Sequence, residues 1–150
     1  MGLEAQRWAP HVTVATIVSD GTRVLLVEES IAGRRVLNQP AGHLEPGESL
    51  IQAAHRETLE ETGWEVELTG LVGIYQWQAP DGTHFLRTTF AARPLQHHPE
   101  RPLDRGIERA LWLSPEQLKA STTLRSPLVW RCVADWLDGR HHPLSVLEVL

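Results

Sequence analysis

Apolar and polar positions alternate along the chain in ways that mark out its elements. Residues 11–19, HVTVATIVS, form a nearly continuous apolar run of strand length, the pattern of a strand buried on both faces. Asp20-Gly21 follows and predicts a hairpin turn, with residues 23–28, RVLLVE, as the paired strand. A short extended piece around Arg35–Gln39 leads into a Pro-Ala-Gly loop at 40–42. Further β-rich stretches are predicted at 66–78 and 84–92, joined by Pro80-Asp81-Gly82, whose residues favour a turn. Pro94, Pro99 and Pro102 predict a loop over 94–105, with a short strand around Ile107–Leu113 after it.

Helical spacing is clearest from Ser49 to Thr62. Ser49 and Gln52 fit a capping box, Leu50, Ala54 and Thr58 fall on one stripe, and Gly63 stops the helix as a left-handed cap. Ser114-Pro115 and Ser126-Pro127 each read as an N-cap followed by proline at the first helical position. The second opens an amphipathic helix with Val129, Val133, Trp136 and Leu137 facing inward. Strands with helices between and after them predict an α/β fold, a mixed sheet with helices packed on its faces. No repeat or linker interrupts this order, so a single domain is expected over 1–150.

Composition narrows the picture. The chain has 150 residues, 41% hydrophobic and 22% charged, which suits a globular domain with a real core. It has no apolar run near the roughly 20 residues of a membrane span, and its N-terminus shows no apolar signal segment. Cys132 is the one cysteine, so no internal disulfide forms; it reads as an ordinary buried residue, and the cytoplasm is the expected compartment. A formal net charge of −5 argues against a dedicated nucleic-acid binder. It does not exclude a small phosphorylated substrate, because a divalent cation bridges acidic side chains and phosphate oxygens. The apolar C-terminal PLSVLEVL packs either on the domain or on a partner chain, and monomer and homodimer both stay open.

Candidate chemistry centres on the first helix. Glu57, Glu60 and Glu61 stand at i, i+3 and i+4 on one face, and residues 49–63 hold no lysine to offset them. Such a face is either a solvated acidic patch or a ligand set for a hard divalent cation. The preceding loop favours the second. Gly42, Glu48, Arg56, Glu57, Glu60, Glu61 and Gly63 stand at the spacings of the Nudix box, G-x5-E-x7-R-E-U-x-E-E-x-G-U, in residues 42–64. Every fixed position matches. Thr58 and Trp64 replace the bulky aliphatic residues, a matter of packing. Thr58 has nearly the shape of valine, and its hydroxyl reaches the Ala54 carbonyl.

On these residues the chain resembles the Nudix hydrolase family. The resemblance implies the Nudix fold, an α/β/α sandwich, and hydrolysis at a phosphoanhydride bond. It implies Glu57, Glu60 and Glu61 as ligands of Mg2+ (or Mn2+), joined by the Gly42 carbonyl, with Arg56 paired to Glu48 as a structural clamp. An acidic residue outside the box often completes such sites; Glu108 is one reading and Asp104 its rival. The general base is Glu61, Glu60 or Glu108. Further segments, HVTVA at 11–15, VEE at 27–29, NQPAGHLE at 38–45, FLR at 85–87 and LRSPLV at 124–129, with Trp77-Gln78-Ala79-Pro80 and Trp112, resemble the NudJ phosphatase branch. That branch implies release of orthophosphate from nucleoside tri- and diphosphates, hydroxymethylpyrimidine diphosphate and thiamine diphosphate.

Residues for substrate contact are His11, Gln39, Trp77, Arg87 and Arg125. Each has a plainer alternative. His11 is a base or phosphate contact or a structural histidine; Trp77 stacks on a heterocycle or fills core. Arg87 enters a pocket or lies on a strand surface. Arg125, just before the Ser126 N-cap, meets an anion or forms a surface ion pair. His97-His98 and His141-His142 read as loop residues. Two other functions remain: a Nudix pyrophosphohydrolase of another diphosphate compound, such as oxidised dGTP or ADP-ribose, and a non-catalytic nucleotide-binding regulator, which the unbroken box disfavours.

Overall fold

The computed structural model describes residues 7–150; the first six, on which the reading of the N-terminus partly rests, lie outside the described residues. The strands are β1 (His11–Val18), β2 (Val24–Ile31), β3 (Arg34–Asn38), β4 (Ala41–His43), β5 (Trp64–Gln78), β6 (His84–His97) and β7 (Ile107–Leu113). The helices are α1 (Leu50–Thr62), α2 (Pro115–Ala120) and α3 (Pro127–Leu137). A mixed sheet runs β4-β1-β6-β5, and an antiparallel one runs β3-β2-β7. Among the described residues no helix is long and apolar enough to cross a membrane.

Strand β1 lies inside the mixed sheet and is buried on both faces, as its apolar run predicts. Val14 and Val18 join Leu25, Val66, Leu68, Leu71, Phe90 and Ala92 beneath Ala53 and Ala54 of α1. Ile17 joins Leu26, Val72 and Tyr75 beneath Leu118 of α2 and Val129, Cys132 and Val133 of α3. The predicted hairpin between β1 and β2 is not formed. Asp20 does build the turn, accepting hydrogen bonds from the Thr22 and Arg23 backbone at 3.0 and 2.7 Å. However, β4 occupies one edge of β1 and β6, in parallel, the other. No edge is left for β2, which crosses to the second sheet and keeps only the Ser19–Val24 bridge.

Other boundaries shift for physical reasons. The predicted Pro-Ala-Gly loop contains β4, whose Ala41–His43 backbone pairs with β1. The predicted loop from 94 begins late, because β6 continues through Pro94 to His97. Pairing with β1 ends at Ala92, so beyond it β6 has an open side where proline's missing N–H costs nothing. His97 is therefore a strand residue, stacked on Trp64 with ring centroids 4.7 Å apart. Leu137, predicted inward, is 49% exposed. The buried stripe of α3 runs through Leu128, Val129, Cys132 and Val133, rotated away from Leu137.

Local chemistry sets α1. Ser49 Oγ accepts from the Gln52 N–H at 3.0 Å while Gln52 Oε1 accepts from the Ser49 N–H at 2.9 Å. Gly63, at φ 75°, closes the far end in the left-handed region. Thr58 donates to the Ala54 carbonyl at 2.7 Å and meets the Thr16 hydroxyl of β1 at 2.8 Å. The inward stripe of the helix is Ala53, Ala54, Glu57, Thr58, Glu61 and Thr62, so two carboxylates are carried into the interior.

The chain after α3 packs on its own domain. His142 exchanges backbone hydrogen bonds of 2.8 Å with Leu71 of β5. The His141 ring lies so close to Gly70 that any Cβ there would overlap it. Leu144 and Leu147 pack on the α1 side of the core.

His98 follows β6 and ties it to the end of α1. Its N–H donates to the Gly63 carbonyl at 2.8 Å, and its ring lies 2.8 Å from Glu65. The Glu65 hydrogen bond holds the His98 pKa above its ordinary value. The charged ring then adds stability in full below the unfolded pKa of about 6.5, and loses it as pH rises through the raised folded value. Thermal melts of Glu65→Gln should show a lower Tm than the parent at pH 5.5 and no difference at pH 9. An equal deficit at both pH values would exclude this pair as the cause.

Candidate active site

The inward carboxylates of α1 meet a third from outside the box. Oxygen atoms of Glu57, Glu61 and Asp104 lie within 4.8 Å of one another. Asp104 reaches this place because its N–H donates to the Glu60 carbonyl at 3.0 Å, pinning its loop to the helix. Glu108 is exposed on β7 and is not in the group. The Glu60 carboxylate is also outside it, turned instead to Arg56.

Strand β4 covers the cluster. The Ala41 N–H donates to Glu61 Oε1 at 2.9 Å. Gly42 lies so close to Glu57 that a Cβ there would overlap the carboxylate. Burial, reinforced by Glu57, Glu29 and Asp104, pushes the Glu61 carboxyl up to about 9 against the pull of the Ala41 N–H. Burial also raises Glu57, against the lowering effect of Arg56. Carboxylates held together in this way either keep a proton or take up a cation. An all-oxygen set with a glycine cradle fits a hard divalent cation such as Mg2+ or Mn2+.

Arg56 organises the surroundings. Its Nε and Nη2 grip both oxygens of Glu48 at 2.6 and 2.9 Å, the predicted clamp. Nη2 also donates to the His43 carbonyl at 3.1 Å, while Nη1 donates to Glu57 at 2.8 Å and Glu60 at 3.2 Å. One guanidinium thus joins the loop, β4 and the acidic helix face. Its contact with Glu48 in turn holds that carboxyl below its usual range.

Beside the cluster opens a cavity of about 950 Å³, lined at one end by Glu61 and Gly42 and at the other by Trp77 and Phe85. Those two rings stack with centroids 5.9 Å apart and 20° between planes. Trp77 is thus a wall residue that also packs on the core. Arg87 enters the cavity, buried, and donates to Gln39 Oε1 at 2.8 Å. Arg125 lines it too, but is ion-paired with the buried Glu29. His11 is exposed and touches His43, which lines the wall, with ring nitrogens 3.1 Å apart. The sequence reading did not single out Glu29, Thr13 or Asn38, which also line the cavity. For Glu29 a signal existed: alternation with the buried Val27 puts it inward.

Carboxylates suited to a divalent cation, beside an arginine-bearing, aromatic-walled cavity, match the chemistry of a small phosphorylated molecule. Comparison with known proteins places it further. The NUDIX domain model matches residues 9–130, and the chain belongs to the Nudix family. It is 43% identical over 138 residues to the protein called Phosphatase NudJ in Escherichia coli K12 and in Shigella flexneri, covering 92% of this chain and 90% of theirs. A NUDIX hydrolase from Nitrosomonas europaea superposes with a TM-score of 0.92 at 46% identity, over 95% of this chain and 98% of that one. Another from that organism gives 0.74 at 26% identity, over 92% and 77%.

Two substitutions test this geometry. Gly42→Ala should displace the Glu57 carboxylate, a flexible group, and so lower turnover at least about tenfold, while Tm moves by only a few degrees. Unchanged turnover would show that the cradle is not needed. For the clamp, Arg56→Ala and Glu48→Ala each should destabilise, and a double-mutant cycle should give a coupling on the order of 1 kcal/mol or more, since both groups are partly shielded. Additive effects would contradict the clamp.

Proposed function

We propose that this Nudix hydrolase removes the terminal phosphate, as orthophosphate, from nucleoside tri- and diphosphates and from thiamine-type diphosphates (hydroxymethylpyrimidine diphosphate and thiamine diphosphate). The observation that carries the reading is the convergence of buried Glu57 and Glu61 with Asp104 at one end of a cavity whose other end is the Trp77–Phe85 wall. The 43% identity to the NudJ phosphatases supports the choice of substrates and product.

Glu57, Glu61 and Asp104 would hold Mg2+, or Mn2+ in its place, with Glu60 swinging in from Arg56; Glu108 is the alternative outer carboxylate. A cation held there would supply charge neutralisation and Lewis-acid polarisation for the phosphoryl group. The chain's own residues do the rest. Trp77 and Phe85 receive the ring, which aims the phosphates back toward β4. Glu61 of the cluster, Glu60 once swung in from Arg56, or Glu108 takes the proton of the attacking water. Ala41 holds the Glu61 carboxylate through its N–H.

Quenched time points on a nucleoside triphosphate should show orthophosphate and the diphosphate first. Pyrophosphate with no diphosphate intermediate would reject this product assignment and favour a pyrophosphohydrolase. Chelation should abolish turnover and magnesium restore it. Glu57→Gln and Glu61→Gln should each lower kcat roughly a hundredfold with the fold retained. Near-normal turnover in either variant would remove that residue from the machinery.

A further inference from the structure

Among the described residues, the buried side-chain polar atoms without a hydrogen-bond partner are Thr13 Oγ1, Asn38 Oδ1, Gln39 Nε2 and Arg87 Nε. They are not scattered. Thr13 and Arg87 are neighbours in the parallel register of β1 and β6. Asn38 and Gln39 are consecutive at the end of β3, and Gln39 accepts from Arg87 Nη1 at 2.8 Å. Folded proteins pair nearly all such atoms, so a patch of unpaired ones marks a place shaped for a further partner. A half-turn of the Asn38 amide presents its NH2 group, and every group of the patch can then donate.

Charge identifies the partner. Arg87 is 8% exposed, yet it has no carboxylate partner among the described residues. Glu29, in the same cavity, is engaged by Arg125. A guanidinium removed from water without a counter-charge is costly until a ligand supplies one. Water would satisfy the N–H groups but leave the charge unbalanced.

The strand register fixes where this ligand lies. Thr13 pairs with His43 on one side and Arg87 on the other, and Arg87 pairs with Tyr75. Phe85 and Trp77 form the next row on the same face, two residues along. Arg87 therefore stands between the carboxylate end and the aromatic end of the cavity.

We propose that Arg87, held in place by Gln39, forms with Thr13 and Asn38 a second, metal-independent anion site that holds the phosphate nearest the substrate's ring while the carboxylate cluster serves the terminal one. For the identity of the ligand this rests on the function proposed above. It gives the enzyme two points of phosphate recognition, one at each site. After cleavage of a diphosphate the monophosphate stays on Arg87, so a ring-bearing monophosphate is a competitive product inhibitor.

Calorimetry on the full chain in excess chelator tests the site apart from turnover, with adenosine monophosphate, adenosine and inorganic phosphate as probes. The monophosphate should bind at least about tenfold more tightly than either adenosine or inorganic phosphate, as expected for hydrogen bonds to a charged group combined with ring contact. Arg87→Gln should reduce it to the adenosine level and leave adenosine unchanged. Thr13→Val, nearly isosteric, should weaken the monophosphate by about threefold or more; this holds the test if Arg87→Gln does not fold. Full monophosphate affinity in both variants, or no preference over adenosine, would overturn the site. Inorganic phosphate binding as tightly as the monophosphate would overturn its assignment to the ring-proximal phosphate. Orthophosphate released first by an enzyme lacking this metal-free binding leaves the proposed function standing and the site refuted. Metal-free binding with pyrophosphate released first does the reverse.

Discussion

Arg56 carries the arrangement on which the rest of the site depends. Glu57, Glu60 and Glu61 share one helix face, and like charges at that spacing repel. A guanidinium has five N–H donors in a rigid fork. Arg56 directs them to both oxygens of Glu48, to the His43 carbonyl, to Glu57 and to Glu60. No lysine could reach so many acceptors in one plane. The same contacts place β4 against α1, which brings Gly42 onto Glu57 and the Ala41 N–H onto Glu61. Removing one partner of a buried ion pair costs about 3–5 kcal/mol, a large share of a domain's stability. Part of that applies to this half-shielded group, so fold and ligand set are held by one side chain.

Acid gathers where β4 meets α1, the far end of the cavity is aromatic, and Arg87 stands between them. The second sheet decides which arginine is left without a carboxylate. Leu37 of β3 exchanges backbone hydrogen bonds of 2.8 Å with Thr123 and Arg125. That contact sets the start of α3 and delivers Arg125 to Glu29, leaving Arg125 neutralised and Arg87 not. The sequence reading gave both arginines equal standing. Only the tertiary path of residues 123–125 separates them.

What the sequence revealed was local. Caps and the Thr58 hydroxyl bond depend on neighbours within one helix, so spacing alone exposes them; the Arg56–Glu48 pair was legible through the family resemblance of the box. Strand partners depend on distant chain. The parallel pairing of β1 with β6, which sets Thr13 beside Arg87, joins residues far apart, and nothing in either segment announces it. The apparent β1–β2 hairpin failed for the same reason: Asp20-Gly21 turns the chain, but occupied edges decide where β2 goes. Asp104 was weighed against Glu108, and only the Asp104–Glu60 backbone bond brings one of them to the cluster. Pro94 misled because a proline is read as ending a strand unless the open side of that strand is known.

The close packing of His141 on Gly70 has a bearing beyond this chain's own fold. Strand β5 is one of the two outer strands of the mixed sheet, and a bare outer strand is a template onto which another molecule can add. Here the His142–Leu71 hydrogen bonds occupy its middle, and register breaks at Glu65/Val66, Leu68/Gly70 and Leu71/Gly73 keep it from lying straight. The tail can seat there only because residue 70 has no side chain. The absence of one methyl group thus guards the molecule against edge-to-edge aggregation.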